Sequence, residues 1–222
     1  MSEVQQIGPL ANQIRQDMKA SGEHPVSKFL RLKIDADTAR VILKDWYEEE
    51  VTSRGRAIVW DEQTQTAIDY ASNWLFARNR DGLLLYGKYG NGKTTLMNCL
   101  RRLFRKDRFL DEVPLVTTTM IIDDMSCRCS GEENLYRRCL DAGILFIDEV
   151  GVEEGSSLVW GTRRTPVQDI IVYRYDRRLI TVLSSNLDDD GLLAKYGHRV
   201  LDRLGESYTR IAYTQSSYRE LE

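Results

Sequence analysis

Cysteine is scarce, and its placement excludes more than its number does. The four cysteines are Cys99, Cys127, Cys129 and Cys139, and the two histidines are His24 and His198. Zinc sites use C-x₂₋₄-C spacings or paired histidines. Cys127-Arg128-Cys129 is a C-x-C, and neither histidine is close to it in sequence. A zinc centre is therefore not expected, and the thiols read as reduced and structurally minor, as suits a cytosolic setting. Long apolar runs are missing too. None approaches the roughly 20 residues of a membrane span, and Met1–Gln6 has neither the basic nor the apolar region of a signal peptide. The expectation is a cytoplasmic protein with no membrane partner. Nor does one sign of charge dominate. With 31 Lys and Arg against 34 Asp and Glu, the net charge is −3. The chain as a whole does not attract nucleic acid, so any such contact comes from local patches. There is no internal repeat and no low-complexity tract.

What is present is a phosphate-binding loop. Gly87-Lys88-Tyr89-Gly90-Asn91-Gly92-Lys93-Thr94-Thr95 fits G-x-x-x-x-G-K-[ST]. The apolar run Leu83-Leu84-Leu85-Tyr86 before it is long enough for a buried strand. After it, Leu96, Met97, Leu100, Leu103 and Phe104 recur at helical spacing. Strand, glycine loop and helix is the context the motif needs. Glycines let the backbone curl until successive N–H groups face a phosphate chain, and the helix N-terminus adds its partial positive charge. Gly87, Gly90, Asn91, Gly92, Lys93, Thr94 and Thr95 are the expected nucleotide-binding residues. Lys93 reaches for the β- and γ-phosphates, and the Thr94 hydroxyl for Mg²⁺.

The second motif is Gly143-Ile144-Leu145-Phe146-Ile147-Asp148-Glu149. Its apolar residues bury a strand, and its two acids emerge at the carboxyl edge, where open parallel sheets bind ligands. Asp148 would hold Mg²⁺, and Glu149 would act as general base on the attacking water. Leu179–Asn186 is another buried strand ending in polar residues, with Asn186 placed to position the water or the γ-phosphate. Val113–Ile122 is rich in β-formers and reads as a further strand. Thr165-Pro166-Val167-Gln168 opens a helix as a capping box. Alternating strands and helices predict an α/β fold with a doubly wound parallel sheet.

Residues 1–57 differ. They hold few strand-like runs and scattered apolar anchors, and Ala36–Glu50 reads as a helix with Ala39, Ile42, Leu43 and Trp46 near one stripe. This segment is expected to be a short N-terminal helical appendage that binds a partner. Thr52–Arg56 reads as the linker, and residues 58–222 as the nucleotide-binding domain. Arg101, Arg102, Arg105, Lys106 and Arg108 form a basic cluster. It is either a solvated helix end that suits the dipole or one of two stretches able to contact single-stranded DNA, the other being residues 123–140.

The order GKYGNGKTT, LFIDEVG, LSSN, YGHRVLDRL and SSYR resembles AAA+ ATPases of the DnaC/IstB group, over roughly residues 60–220. These are replicative helicase loaders and the ATPase subunits of certain transposons. The resemblance implies an AAA+ core without a helical lid, ATP hydrolysis with Mg²⁺, and ATP-dependent self-assembly. It also implies a replicative helicase or a transposase as partner, with single-stranded DNA. It makes Asn186 the first sensor, Arg203 the arginine finger offered to a neighbouring subunit, Arg219 the second sensor, and Arg199 a further candidate beside Arg203.

Overall fold

The computed structural model describes residues 34–76, 80–106, 113–126, 135–153, 157–159, 162–164, 166–215 and 217–218. All of them fall in one compact unit, Lys33–Glu222. Helix α1 (Ala36–Thr52) starts at Asp35, whose carboxylate accepts from Thr38 N at 2.7 Å. Its buried stripe is Ala39, Leu43 and Tyr47, while Trp46 sits at the rim beneath the Arg102 guanidinium, 4.4 Å from its ring centre. Helix α2 (Glu62–Phe76) follows, then strand β1 (Gly82–Gly87), then helix α3 (Lys93–Lys106). The five apolar residues expected to line α3 are all buried.

Strand β2 (Leu115–Thr117), helices α4 (Thr118–Ser126) and α5 (Leu135–Asp141), and strand β3 (Ile144–Val150) come next. A short antiparallel ribbon, β4 (Ser157–Val159) and β5 (Thr162–Arg164), precedes helix α6 (Pro166–Asp176). Strand β6 (Ile180–Ser185), helices α7 (Asp189–Tyr196) and α8 (His198–Ser207), and strand β7 (Tyr208–Tyr213) complete the order.

The main sheet runs β2-β3-β6-β1-β7, and every neighbouring pair is parallel. The period of two divides the strand residues between its faces. Leu84, Leu145, Ile147 and Leu183 join a cluster with Ile121, Cys139, Ile170, Ile171, Val200 and Leu204, which belong to α4, α5, α6 and α8. Phe146 points the other way. Its ring lies 5.9 Å from Phe104 of α3, which lies 6.3 Å from Trp74 of α2. Helices thus cover both faces, and the expected doubly wound α/β sheet is the architecture.

One strand is shorter than its sequence implies. Only Leu115–Thr117 of the β-rich run is strand, and Thr118–Ile122 opens helix α4. The Thr117 hydroxyl accepts from Met120 N at 3.3 Å, so it caps the helix. The buried Thr118 hydroxyl donates to Glu149 O at 3.1 Å. Capping and this tertiary bond outweigh the β-propensity of the run. Thr165, Cys127, Cys129, Arg108 and the N-terminal residues through Lys33 lie outside the described residues.

Candidate nucleotide site

The site begins where β1 gives way to α3. Gly87 has φ 120° and Gly92 φ 90°, a region that side chains disfavour. Space forbids a side chain as well. A Cβ on Gly87 would stand 2.1 Å from Tyr213 O, and one on Gly92 would stand 1.9 Å from the Tyr47 hydroxyl. The loop is thus pressed between β7 on one side and α1 on the other.

Lys93 is the first residue of α3, and the first turn of that helix carries no acid. Its side chain is nearly buried, and Nζ donates to Gly87 O at 2.8 Å and to Lys88 O. Burial pushes its pKa down to about 8, against a smaller opposite pull from Asp148. The ammonium therefore sits among loop carbonyls, poorly hydrated and able to accept an anion. Thr94 Oγ1 donates to Asp148 Oδ2 at 3.0 Å. Asp148 Oδ1 accepts from Ser184 Oγ and, at 3.1 Å, from Glu149 N. Three segments therefore converge on one carboxylate.

Glu149 emerges differently. The β3–β6 register breaks between Ile147 and Val150, and Glu149 takes φ 59°. Its N–H also donates to Ser184 Oγ at 3.0 Å, so the distorted backbone is held on two sides. The bulge re-aims the side chain, and Glu149 is exposed where its neighbours on β3 are buried.

These groups line one cavity of about 290 Å³. Gly90, Asn91, Gly92, Lys93, Thr94, Thr95, Asp148, Glu149 and Asn186 all border it. Of the residues expected at the site, Gly87 opens the loop without bordering the cavity, and Arg203 is elsewhere. It lies on α8 with Nη1 donating to Arg199 O at 3.2 Å, Nη2 3.8 Å from Asp176, and the guanidinium 4.9 Å from the Tyr175 ring centre. Arg199 is exposed on the same helix. Arg219 lies outside the described residues, although Tyr218 beside it borders the cavity.

Two further walls complete the cavity, and the sequence motifs touch only the second of them, at Tyr218 in SSYR. The first is the end of α1 and the segment after it: Tyr47, Val51, Arg54 and residues 56–59 line the cavity, where a linker was expected. The second follows β7. Lys88 N donates to Tyr213 O at 3.2 Å, Tyr218 N to Gly90 O at 3.1 Å, and Asn91 Nδ2 to Gln215 O at 2.9 Å. The Tyr218 hydroxyl donates to Asp61 Oδ2 at 2.7 Å, which ties this strap to the start of α2. Aromatic residues near the chain's end were the available signal.

The donor set fits Mg²⁺ held jointly with phosphate. Thr94 and Asp148 supply a hydroxyl and a carboxylate, and Mg²⁺ commonly takes one or two carboxylates with substrate phosphates rather than a full protein cage. Among the described residues no three His, Cys, Asp or Glu side chains cluster as such a cage. The basic cluster on α3 is partly structural: Arg101 Nε donates to Val113 O at 2.7 Å, and Arg102 Nη1 pairs with Glu49 at 2.6 Å.

A five-stranded parallel sheet with a glycine loop at the end of β1 and an acid pair on β3 is the framework of a phosphate-loop nucleotide-binding domain. Within that class the chain is similar to DnaC. It is 28% identical over 152 residues to the replicative helicase loader DnaC of Buchnera aphidicola subsp. Acyrthosiphon pisum (strain APS), covering 65% of this chain and 59% of that protein. The chain thus spans less than two thirds of that relative's length. In fold it matches the crystal structure of the DnaC helicase loader with a TM-score of 0.57 and 18% identity, over 70% of this chain and 93% of that one. It also matches the replication initiator DnaA bound to AMPPCP and single-stranded DNA, with a TM-score of 0.52 and 17% identity, over 69% of this chain and 48% of that one. No family model matches. Among the described residues no helix is long and apolar enough to cross a membrane.

Proposed function

We propose that this chain is an ATP-hydrolysing switch in DNA replication that places a replicative helicase on single-stranded DNA. The observation that carries the reading is the convergence of Lys93, Thr94, Asp148, Glu149 and Asn186 on one cavity, in a chain similar to a helicase loader along 65% of its length.

In this reading the loop amides and Lys93 bind the β- and γ-phosphates of ATP. Thr94 and Asp148 hold Mg²⁺, which when bound supplies positive charge against the phosphates. Glu149 takes the proton of the attacking water, and Asn186 aligns that water with the γ-phosphate. Arg203, which does not border its own cavity, serves the cavity of a neighbouring copy in an ATP-dependent homo-oligomer. Arg219, next to Tyr218, senses the phosphate from within the same copy. Residues 1–57 select the partner, and residues 58–222 run the nucleotide cycle together with the end of α1, which lines the same cavity. Single-stranded DNA contacts use Arg105 and its neighbours or residues 123–140.

The test is a capture experiment with the full chain and ATP. Retention of a hexameric replicative helicase, with ATP turnover that rises when single-stranded DNA is added, is the expected result. Retention of a transposase instead would replace helicase loading with transposition targeting. Tight ATP binding with no turnover under any of these conditions would reduce the protein to a nucleotide-dependent interaction module.

A further inference from the structure

We propose that Arg54 is a phosphate-binding side chain of this cavity, stationed at the nucleoside end of the polyphosphate and not at its terminal phosphate. The proposal rests on the reading that the cavity holds a nucleoside di- or triphosphate.

Helix α1 unwinds just before the cavity. Arg54 N donates to Val51 O at 3.2 Å and Gly55 N to Thr52 O at 2.9 Å, so the backbone turns there. Arg54 Nη2 pairs with Glu50 Oε1. The same oxygen accepts from Asn98 Nδ2 at 3.0 Å, which anchors the pair to α3. Arg54 Nη1 then reaches Thr95 Oγ1 at 3.4 Å, in the first turn of α3. That is a long hydrogen bond to a neutral oxygen, and a phosphate oxygen is a better acceptor.

The charge pattern calls for an anion. A helix N-terminus carries partial positive charge and disfavours cations. Here two cations meet it, Lys93 and Arg54, and no acid lies in the first turn. Glu50 pairs with Arg54, and Asp148 offsets Lys93 only in part, its pull being smaller than the effect of burial. A polyphosphate in the cavity would balance the rest.

The position on the helix says which phosphate. Successive residues point about 100° apart around an α-helix. Thr94 bonds Asp148, on the side of Glu149 and Asn186. That is the terminal-phosphate side, because the loop lysine and the Mg²⁺ serve the β- and γ-phosphates. Thr95 bonds Arg54 on the other side, where the wall continues into Val51, Ala57, Ile58 and Val59. An apolar wall beside a guanidinium suits a nucleoside joined to its first phosphate. The Tyr47 hydroxyl abutting Gly92 independently places α1 against the loop.

The experiment titrates ADP and a non-hydrolysable ATP analogue into wild type, Arg54→Ala, Arg54→Lys and Lys93→Ala. Arg54→Ala is expected to weaken both nucleotides by the same factor, roughly 10- to 100-fold, as for a lost charge-assisted bond. Arg54→Lys should lose less, because the charge stays while the fork is lost. Unchanged ADP affinity in both Arg54 variants, or a loss confined to the ATP analogue, overturns the proposal. Melting of the nucleotide-free variants separates binding from folding, and Arg54→Lys carries the test where Arg54→Ala does not fold. Wild-type affinity for both nucleotides in Lys93→Ala would instead remove the nucleotide reading on which the proposal rests.

Discussion

At the scale of the residue, the Lys93 ammonium combines 6% exposure with a pKa lowered from 10.5 to about 8. Below pH 8 the folded chain holds that charge away from water, while the unfolded chain holds it hydrated. Between about 8 and 10.5 the folded chain has released the proton and the unfolded chain has kept it. Unfolding then takes up a proton, so the contribution of Lys93 to stability rises with pH across that window. Urea melts of wild type and Lys93→Met, compared from pH 7 to 10.5, should show the wild type gaining on the variant above pH 8. A pH-independent difference would mean that the ammonium is better hydrated than its burial implies. Phosphate binding works in the opposite direction, since an anion stabilises the charged form. Nucleotide affinity is therefore expected to fall as pH rises through about 8, with proton uptake on binding measurable by calorimetry in buffers of different ionisation enthalpy. Glu149 is the other residue whose chemistry follows from its setting, because the register break leaves it exposed at the cavity while Asp148 is locked by Thr94 and Ser184. Glu149→Gln keeps the shape and removes the base. Nucleotide binding should persist while turnover falls about 10²- to 10⁴-fold, and brisk turnover in that variant would take Glu149 out of the reaction.

Elements are joined here by side chains whose roles do not show in local patterns. Arg174 is wholly buried on α6. Its Nε donates to Thr181 Oγ1 at 2.8 Å, its Nη1 to the carbonyls of Cys139 at 2.9 Å and Ala142 at 2.6 Å, and its Nη2 to Ile180 O at 2.7 Å. It thus satisfies the orphan carbonyls at the end of α5 and the start of β6, the groups a helix end leaves unpaired. Burial pulls its pKa down to about 10. Arg174→Ala strands those carbonyls and should cost about 3 kcal/mol or more. Arg102→Ala removes a half-exposed guanidinium that faces the exposed Glu49, 2.6 Å away, and should cost about 1 kcal/mol or less. Equal losses in chemical melts would refute this ranking. In sequence Arg174 sits in Val172-Tyr173-Arg174-Tyr175-Asp176 and looks like a surface residue. The motif-bearing elements were legible because glycine, lysine and paired acids at fixed spacings answer to local chemistry. So were the buried runs 83–85 and 144–147, since continuous apolarity marks a strand covered on both faces. Thr118–Ile122 misled because a capping hydroxyl one residue earlier outweighed its β-branched composition. The roles of Tyr47, Arg54 and Tyr218 lie in contacts with Gly92, Thr95 and Gly90, each across more than 40 positions of chain, which no local pattern shows.

For the whole molecule, the role proposed for Arg203 decides how many chains would make one working site. Its guanidinium is held on α8 by Arg199 O and the Tyr175 ring and does not border its own cavity. If it acts at all in hydrolysis, it acts on a neighbour. Head-to-tail assembly makes every site from two different surfaces, so two kinds of inactive subunit can repair each other. An Arg203→Ala subunit keeps a whole cavity with Glu149 but offers no finger. A Glu149→Gln subunit offers the finger but has a dead cavity. Each variant alone should hydrolyse ATP far below wild type, by about 10³-fold or more where an arginine finger is lost. Mixed in equal amounts, roughly a quarter of the neighbour contacts pair a living cavity with an intact finger, and turnover should recover toward that fraction of wild type. Recovery should rise and then fall as the ratio is varied, because an excess of either subunit dilutes the productive contact. A mixture no more active than the sum of its parts, under conditions where both variants assemble, would place Arg203 outside the reaction and leave it to hold α6 and α8 together.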